Sequence, residues 1–206
     1  MNNIYTIGYS SYSIEEFINV LKHYHIDAIA DVRTLPYSQR NFDFNKDILS
    51  QKLKRHKIYY VPLGLECGAR PEDASCYVDN KVSFEILSST DLFRHGILRL
   101  RNGMNKCTIG IMCAEQDPIS CHRYILVGRE LLKSYPGIAL FNILHNGEIE
   151  KSSDTDSRLM HLYNLDTEEI VGLGKAFDER LNEAFLRQSR KISFQRDAGL
   201  HKNNLS

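Results

Sequence analysis

"KCTIGIMCAEQDPISCHRYILVGREL", residues 106–131, decides the fold. Ile109 to Cys113 is an apolar run of the length and composition of a buried strand, and from Cys121 onward apolar residues recur at helical spacing. The loop between them concentrates chemistry. Cys113, Glu115, Asp117, Cys121, His122 and Arg123 fall within eleven consecutive positions. A strand passing through a polar loop into a helix is half of a parallel strand–helix–strand unit, and such loops are where these units bind ligands.

The same alternation runs outward in both directions. "NIYTIGYSS" (3–11) reads as a strand ending in a Gly-containing loop. Ser13 and Glu16 then have capping-box spacing, ahead of Ile14, Phe17, Ile18 and Leu21 on one helical face. "IDAIADV" (26–32) is a second strand, apolar enough to be covered on both sides. An irregular loop, "RTLPYSQRNFDF" (33–44), precedes a basic helix over about 45–56, and "IYYVPL" (58–63) is a third strand. "GLECGARPEDASCYVDN" (64–80) has Gly and Pro punctuation without period and reads as a long loop. A helical stretch at 83–101 leads to the opening strand, and "GIALFNILHNGEIE" (137–150) holds a fifth strand with a turn at Asn146-Gly147. The expectation is an α/β fold over 1–150, an open and mostly parallel sheet with helices on both faces, Rossmann- or flavodoxin-like. Residues 151–206 are expected to be a helical extension. "KSSDTDSR" is polar, one or two amphipathic helices follow within 167–192, and the last ten residues fray.

Composition narrows the function classes. Lys plus Arg number 26 and Asp plus Glu 26, so no net charge pulls the chain toward nucleic acid or a membrane. No apolar run approaches the roughly 20 residues of a membrane span, and the start lacks the design of a signal peptide, which implies a cytoplasmic protein. Its five cysteines are then expected as reduced thiols, and no Cys-x-x-Cys pair occurs.

In an open parallel sheet the residues beyond the strand ends form the site. Here those are Gly8, Tyr9, Ser10 and Ser11; Asp31, Arg33, Arg40 and Asn41; Glu66, Gly68 and Arg70; Cys113, Glu115, Asp117, Cys121, His122 and Arg123; and His145. A carboxylate at a buried strand end needs a partner or a purpose. Asp31 is therefore either the structural mate of Arg33 or a base, with Arg33 free to hold an anion. Arg33, Arg40, Arg70 and Arg123 suit phosphate or carboxylate, because guanidinium forks bind such groups bidentately. The basic helix is either a solvated face or a nucleic-acid strip.

Three readings stand for the opening stretch. A metal site would use Cys113, Cys121 and His122, but adjacent side chains at a helix start are expected to diverge, so no metal and no cofactor are assigned. A nucleophile reading would use a thiol at a helix N-terminus, although the spacing does not match a Cys-x5-Arg loop. The favoured reading is an anion cradle, with helix N–H groups and Arg123 facing the ligand and Glu115 opposite Asp31. Paired acids beside an arginine-lined pocket suit hydrolytic or glycosidic cleavage.

"TIGYSSYSIEEF…IADVRTLPYSQRNFDFN", "YYVPLGLECGARP", "MCAEQDPISCHRYILVGREL" and "NILHNGEI", in that order, resemble the family called domain of unknown function 488, over about residues 4–150. The resemblance implies a shared fold and pocket. Its pattern falls on Gly8, Ser10, Asp31, Arg33, Arg40, Asn41, Cys113, Glu115, Cys121, His122 and Arg123. Tyr9 departs from the pattern, standing where the family often has histidine, and Phe42-Asp43 replaces the usual asparagine–proline continuation.

The expected protein is an enzyme acting on a phosphate-bearing or nucleotide-like substrate, a base or nucleotide in nucleic acid included. Asp31, Glu115 and His122 are the expected catalytic groups. Gly8, Ser10, Arg33, Arg40, Asn41, Arg70, Cys113, Cys121 and Arg123 are the expected binding groups. The alternatives are a non-catalytic nucleotide or nucleic-acid binding module and a Cys/His metal- or thiol-dependent enzyme.

Overall fold

The computed structural model describes residues 3–167 and 176–196. Six strands form one sheet: β1 (Asn3–Gly8), β2 (Ala28–Asp31), β3 (Tyr59–Pro62), β6 (Ile109–Cys113), β7 (Ala139–Ile143) and β8 (Ile149–Lys151). Their order is β3-β2-β6-β1-β7-β8. The first five are parallel and β8 returns antiparallel to β7. Gly147, at φ +84°, makes the tight turn between β7 and β8, a conformation that L side chains rarely adopt. The fold is the expected mostly parallel α/β sheet of Rossmann-like type.

Period-two alternation along the strands feeds two cores. Tyr5, Ile7, Ile29, Met112 and Ile143 pack against α1 (Ile14–His23) and α2 (Lys46–Arg55). Ile4, Ala28, Ala30, Ile109, Ile111 and Leu140 face the other way. There they meet α5 (Asp91–Met104), a helical run with π geometry over Arg123–Gly128 that continues into α6 (Arg129–Ser134), α7 (Ser152–Leu162) and α8 (Phe177–Ile192). The helices that follow β1 and β2 thus cover one face, while the helix that follows β6 covers the other. Since β6 lies between β1 and β2, the chain diverges on both sides of Cys113, and a crevice opens beyond these strand ends.

Local chemistry explains most boundaries. Ser13 and Glu16 make the expected capping box, Glu16 N to Ser13 Oγ at 3.2 Å and Ser13 N to Glu16 Oε2 at 2.8 Å. The expected helix at 83–101 is two. Ser83 caps α4 (Phe84–Ser89), and the Thr90 hydroxyl accepts from Phe93 N, starting α5 afresh.

The expected long loop is partly structured. It contains α3 (Gly64–Cys67) and a hairpin of β4 (Tyr77–Val78) and β5 (Lys81–Val82), turned by Asp79 and Asn80 at φ +50° and +62°. The polar stretch after Lys151 is helix α7. Its apolar period is faint because the buried face includes Thr155, which takes hydrogen bonds from Asn142 Nδ2 at 2.8 Å and gives one to Glu150 Oε2 at 2.7 Å. Helices α7 and α8 join the same core through Leu159, Met160, Ala184 and Phe185. The frayed tail expected at the C-terminus, and the start of the amphipathic segment at 168–175, lie outside the described residues.

Candidate functional site

Gly8, Asp31 and Cys113 end neighbouring strands, with Gly8 paired to Cys113 and Asp31 to Met112. A Cβ on Gly8 would stand 1.8 Å from the Glu115 carbonyl oxygen. The glycine is therefore needed for the close approach of the β6 loop, not for ligand contact. Two backbone bonds continue this approach, Tyr9 N to Cys113 O and Ser10 N to Ala114 O, both 3.1 Å.

Beyond this edge lies a cavity of about 610 Å³, a size ordinary for a nucleotide-sized ligand. Arg33, Arg70, Cys113, Glu115 and His122 line it, as do Tyr9, Tyr37, Ser38 and Ser120. Glu115 is the one carboxylate among the described lining residues.

Asp31 lies behind this surface, 1 % exposed, and both its oxygens are committed. Arg33 Nε donates to Oδ1 at 2.9 Å, Arg33 Nη2 to Oδ2 at 2.6 Å, and the Tyr60 hydroxyl to Oδ2 at 2.6 Å. Arg33 Nη2 also donates to Phe44 O at 2.9 Å. Burial alone would weaken Arg33's hold on its proton, but the hydrogen bonds and charge of Asp31 outweigh it and raise the guanidinium above its ordinary value. Burial, then Asp31, also pushes the Tyr60 phenol up, so it remains a donor. The Tyr9 ring, stacked on Phe44 at 4.4 Å, lies 4.9 Å from the Arg33 guanidinium. Arg33 Nη1 is buried and has no hydrogen-bond partner among the described residues.

Arg123 is fully buried and does not line the cavity. It braces the β6 loop from behind: Nη1 donates to Glu115 O, Nη2 to Gln116 O at 2.9 Å, and Nε to Thr6 Oγ1 at 3.3 Å. These backbone carbonyls need donors, and this guanidinium supplies them. Asp117 ties the same loop to α7, held by Arg158 at 2.8 and 2.9 Å, and caps Ile119 N at 3.1 Å. Ser10 and Arg40 are exposed and Asn41 half-buried, and none of the three lines the cavity; His145, also exposed, does not either.

Cys113, Cys121 and His122 come together. Their ligand atoms all lie within 4.8 Å of one another. The expected divergence of Cys121 from His122 does not occur, because the two do not share a helix. Cys121 is extended (φ −133°, ψ 139°) after the turn Pro118–Ser120, and only His122 (φ −62°, ψ −21°) has helical dihedrals. Both thiols donate to Glu115 Oε2, from Cys113 at 3.2 Å and from Cys121 at 2.9 Å.

The cluster shares its protons unevenly. Its hydrogen bond with Cys121, then burial, pushes the Cys113 thiol up. Burial would raise Cys121 as well, but Cys113, Arg123 and His122 outweigh it and hold this thiol below its ordinary range. Burial, then Cys121, raises the Glu115 carboxyl. Burial would lower the His122 imidazole, but Cys121 outweighs it and raises the group.

The family model for the domain of unknown function DUF488 matches residues 13–129, more than half the chain. The chain belongs to this family. No curated protein and no solved structure matches it. The matched DUF488 region carries Arg33, Arg70, Cys113, Glu115, Cys121 and His122. It does not carry the whole cavity: Tyr9 precedes the match, and Ile192 to Gln195, which close one wall, follow it. Phe194 lies under the Arg70 guanidinium, 4.4 Å away. Sequence reasoning placed Tyr9 beyond the first strand without giving it a role, and it missed Tyr60 and this C-terminal wall. Tyr60 sits on a strand with no polar motif around it, and nothing local in 192–195 marks a site. Among the described residues no helix is long and apolar enough to cross a membrane.

Proposed function

We propose that this DUF488 protein is an enzyme that binds a phosphate-bearing, nucleotide-like substrate beyond β2 and β6 and cleaves or transfers a group at the cavity floor. One observation carries the reading. Arg33 lines the cavity, Asp31 grips it along Nε and Nη2, and its buried Nη1 has no protein acceptor. A cation fixed this way is preorganised for an anion, since most of its ordering entropy is already lost on folding. Arg70, exposed on the same cavity, adds a second guanidinium.

Asp31 is then a positioning residue. Glu115, the lining carboxylate, is the group placed to take or give a proton, with His122 beside it. In a hydrolytic reaction, an N-glycosidic one included, one water is consumed. Its hydroxyl goes to one fragment and its proton to the leaving group.

The test incubates the purified chain with nucleosides, nucleotides and short oligonucleotides and identifies products by mass. A cleaved or transferred product that disappears in Glu115→Gln is expected. Tight binding of a nucleotide with no product from any of them would replace the enzyme with a binding module, a reading that gains from Asp31 having no free oxygen.

A further inference from the structure

We infer that Cys113, Cys121 and His122 form a binding site for a zinc-class divalent cation, with the fourth coordination position open to the cavity. The geometry is close to what such a centre needs. A tetrahedral zinc with ordinary bond lengths sets sulfur and nitrogen ligands about 3.6 Å apart. Cys113 Sγ and His122 Nδ1 are 3.7 Å apart, and both sulfurs and the imidazole fall within a 4.8 Å span.

The histidine is already in the ligating arrangement. Its Nε2 lies 3.0 Å from the Val32 carbonyl oxygen, which can only accept a hydrogen bond, so Nδ1, on the side of the sulfurs, is the nitrogen left to bind a metal. A metal-bound histidine typically has its second nitrogen held by a backbone carbonyl or carboxylate in this way. Val32 follows the end of β2, so the sheet itself orients the ring.

Charge and burial agree. Cys113 and Cys121 are 4 % and 1 % exposed. Two buried thiolates would be costly alone, but with a dication and a neutral imidazole the set is neutral. Thiolate and imidazole together select borderline-soft cations over magnesium or calcium. Two Cys and one His leave a tetrahedral ion one position short, the pattern of a catalytic centre and not of a closed structural one. Cys113 and His122 line the cavity, so that position faces the proposed substrate, with Glu115 beside it.

The inference uses the cavity reading only for what the open position faces. The test takes the full chain, purified reduced and without chelator, for elemental analysis. The protein is then stripped and titrated with Co²⁺. About one zinc per chain is expected, and cobalt should give a near-ultraviolet thiolate charge-transfer band with intense visible bands of tetrahedral geometry. Cys113→Ser and Cys121→Ser should each lose the charge-transfer intensity and bind at least about tenfold more weakly, while Cys107→Ser, outside the cluster, should match wild type.

Reduced wild-type protein with no stoichiometric metal and no cobalt band would overturn the site. So would a cobalt band that survives in both cluster variants, or a Cys113–Cys121 disulfide in the metal-loaded protein. Cobalt binding by a chain that ignores nucleoside phosphates would keep the metal site and remove the substrate reading. Phosphate binding without cobalt would do the reverse.

Discussion

Asp31 and Arg33, two residues apart at the end of β2, hold each other through two parallel hydrogen bonds of 2.9 and 2.6 Å, with the Arg33 and Asp31 side chains only 6 % and 1 % exposed. Breaking such a buried pair from one side leaves an uncompensated charge and costs about 3–5 kcal/mol, whereas replacing both partners with apolar residues can be nearly neutral. Asp31→Ala should therefore destabilise the protein by about that much in urea unfolding, and the double replacement Asp31→Leu/Arg33→Met by clearly less than either single change. Asp31→Asn should also weaken binding of nucleoside phosphates, because Arg33 is no longer held in place.

Gly8→Ala tests whether the first strand end serves packing or ligand. The added methyl meets the Glu115 carbonyl at 1.8 Å and Arg123 Nη1 at 3.1 Å, so the β6 loop must move. Overpacking of this kind costs about 1–3 kcal/mol. Thermal unfolding should show that loss together with impaired turnover. An alanine variant with wild-type stability and activity would mean the loop is not seated as described.

Asp117 links the site loop to α7, and its effect depends on pH. Burial would raise its carboxyl, but the hydrogen bonds from Arg158 and the Ile119 amide outweigh it and hold the group below its ordinary value. A depressed carboxylate contributes stability that is fully present above the unfolded pKa of about 3.9 and is lost as pH falls through the lower folded value. Asp117→Asn should thus melt earlier than wild type at pH 7, with the gap narrowing below about pH 4 and closing in stronger acid. Because the pair is partly exposed, the gap at neutrality should be about 1 kcal/mol or less. Glu150 keeps its own bonds to Arg158 in the variant, 3.0 and 3.1 Å in the native protein, which limits the effect further.

Arg70 separates binding from folding. It is exposed and stacked on Phe194, so Arg70→Ala should leave the melting temperature within about 1–2 °C of wild type. Its loss should still weaken nucleoside phosphate binding several-fold, read by calorimetry.

The sheet was legible because buried parallel strands are short apolar runs, and each of the five expected strands exists. Elements whose signals were polar were less visible. Helix α7 hides its inward face behind Thr155, and the β4–β5 hairpin is marked only by Asp79-Asn80. In the site, Glu115, Arg33 and Arg70 reach the cavity as residue type and position suggested. Arg123 does not, because two carbonyls of the β6 loop claim its Nη1 and Nη2 and the Thr6 hydroxyl claims its Nε, a demand invisible without the loop's path. The meeting of Cys121 with His122 was hidden for a related reason: it depends on where the extended backbone turns into helix, which residue spacing alone does not specify.

The central claim is that Arg33 anchors a phosphate-bearing ligand in the cavity beyond β2 and β6. The direct measurement is isothermal titration of nucleoside 5′-monophosphates into reduced wild-type protein and into Arg33→Met and Arg70→Ala variants, each checked for folding by circular dichroism. Charge-assisted hydrogen bonds contribute about 1.5–3 kcal/mol, so a folded Arg33→Met should bind at least about tenfold more weakly, with Arg70→Ala intermediate. Equal affinity in all three proteins, or no binding of any nucleoside phosphate by the wild type, would contradict it.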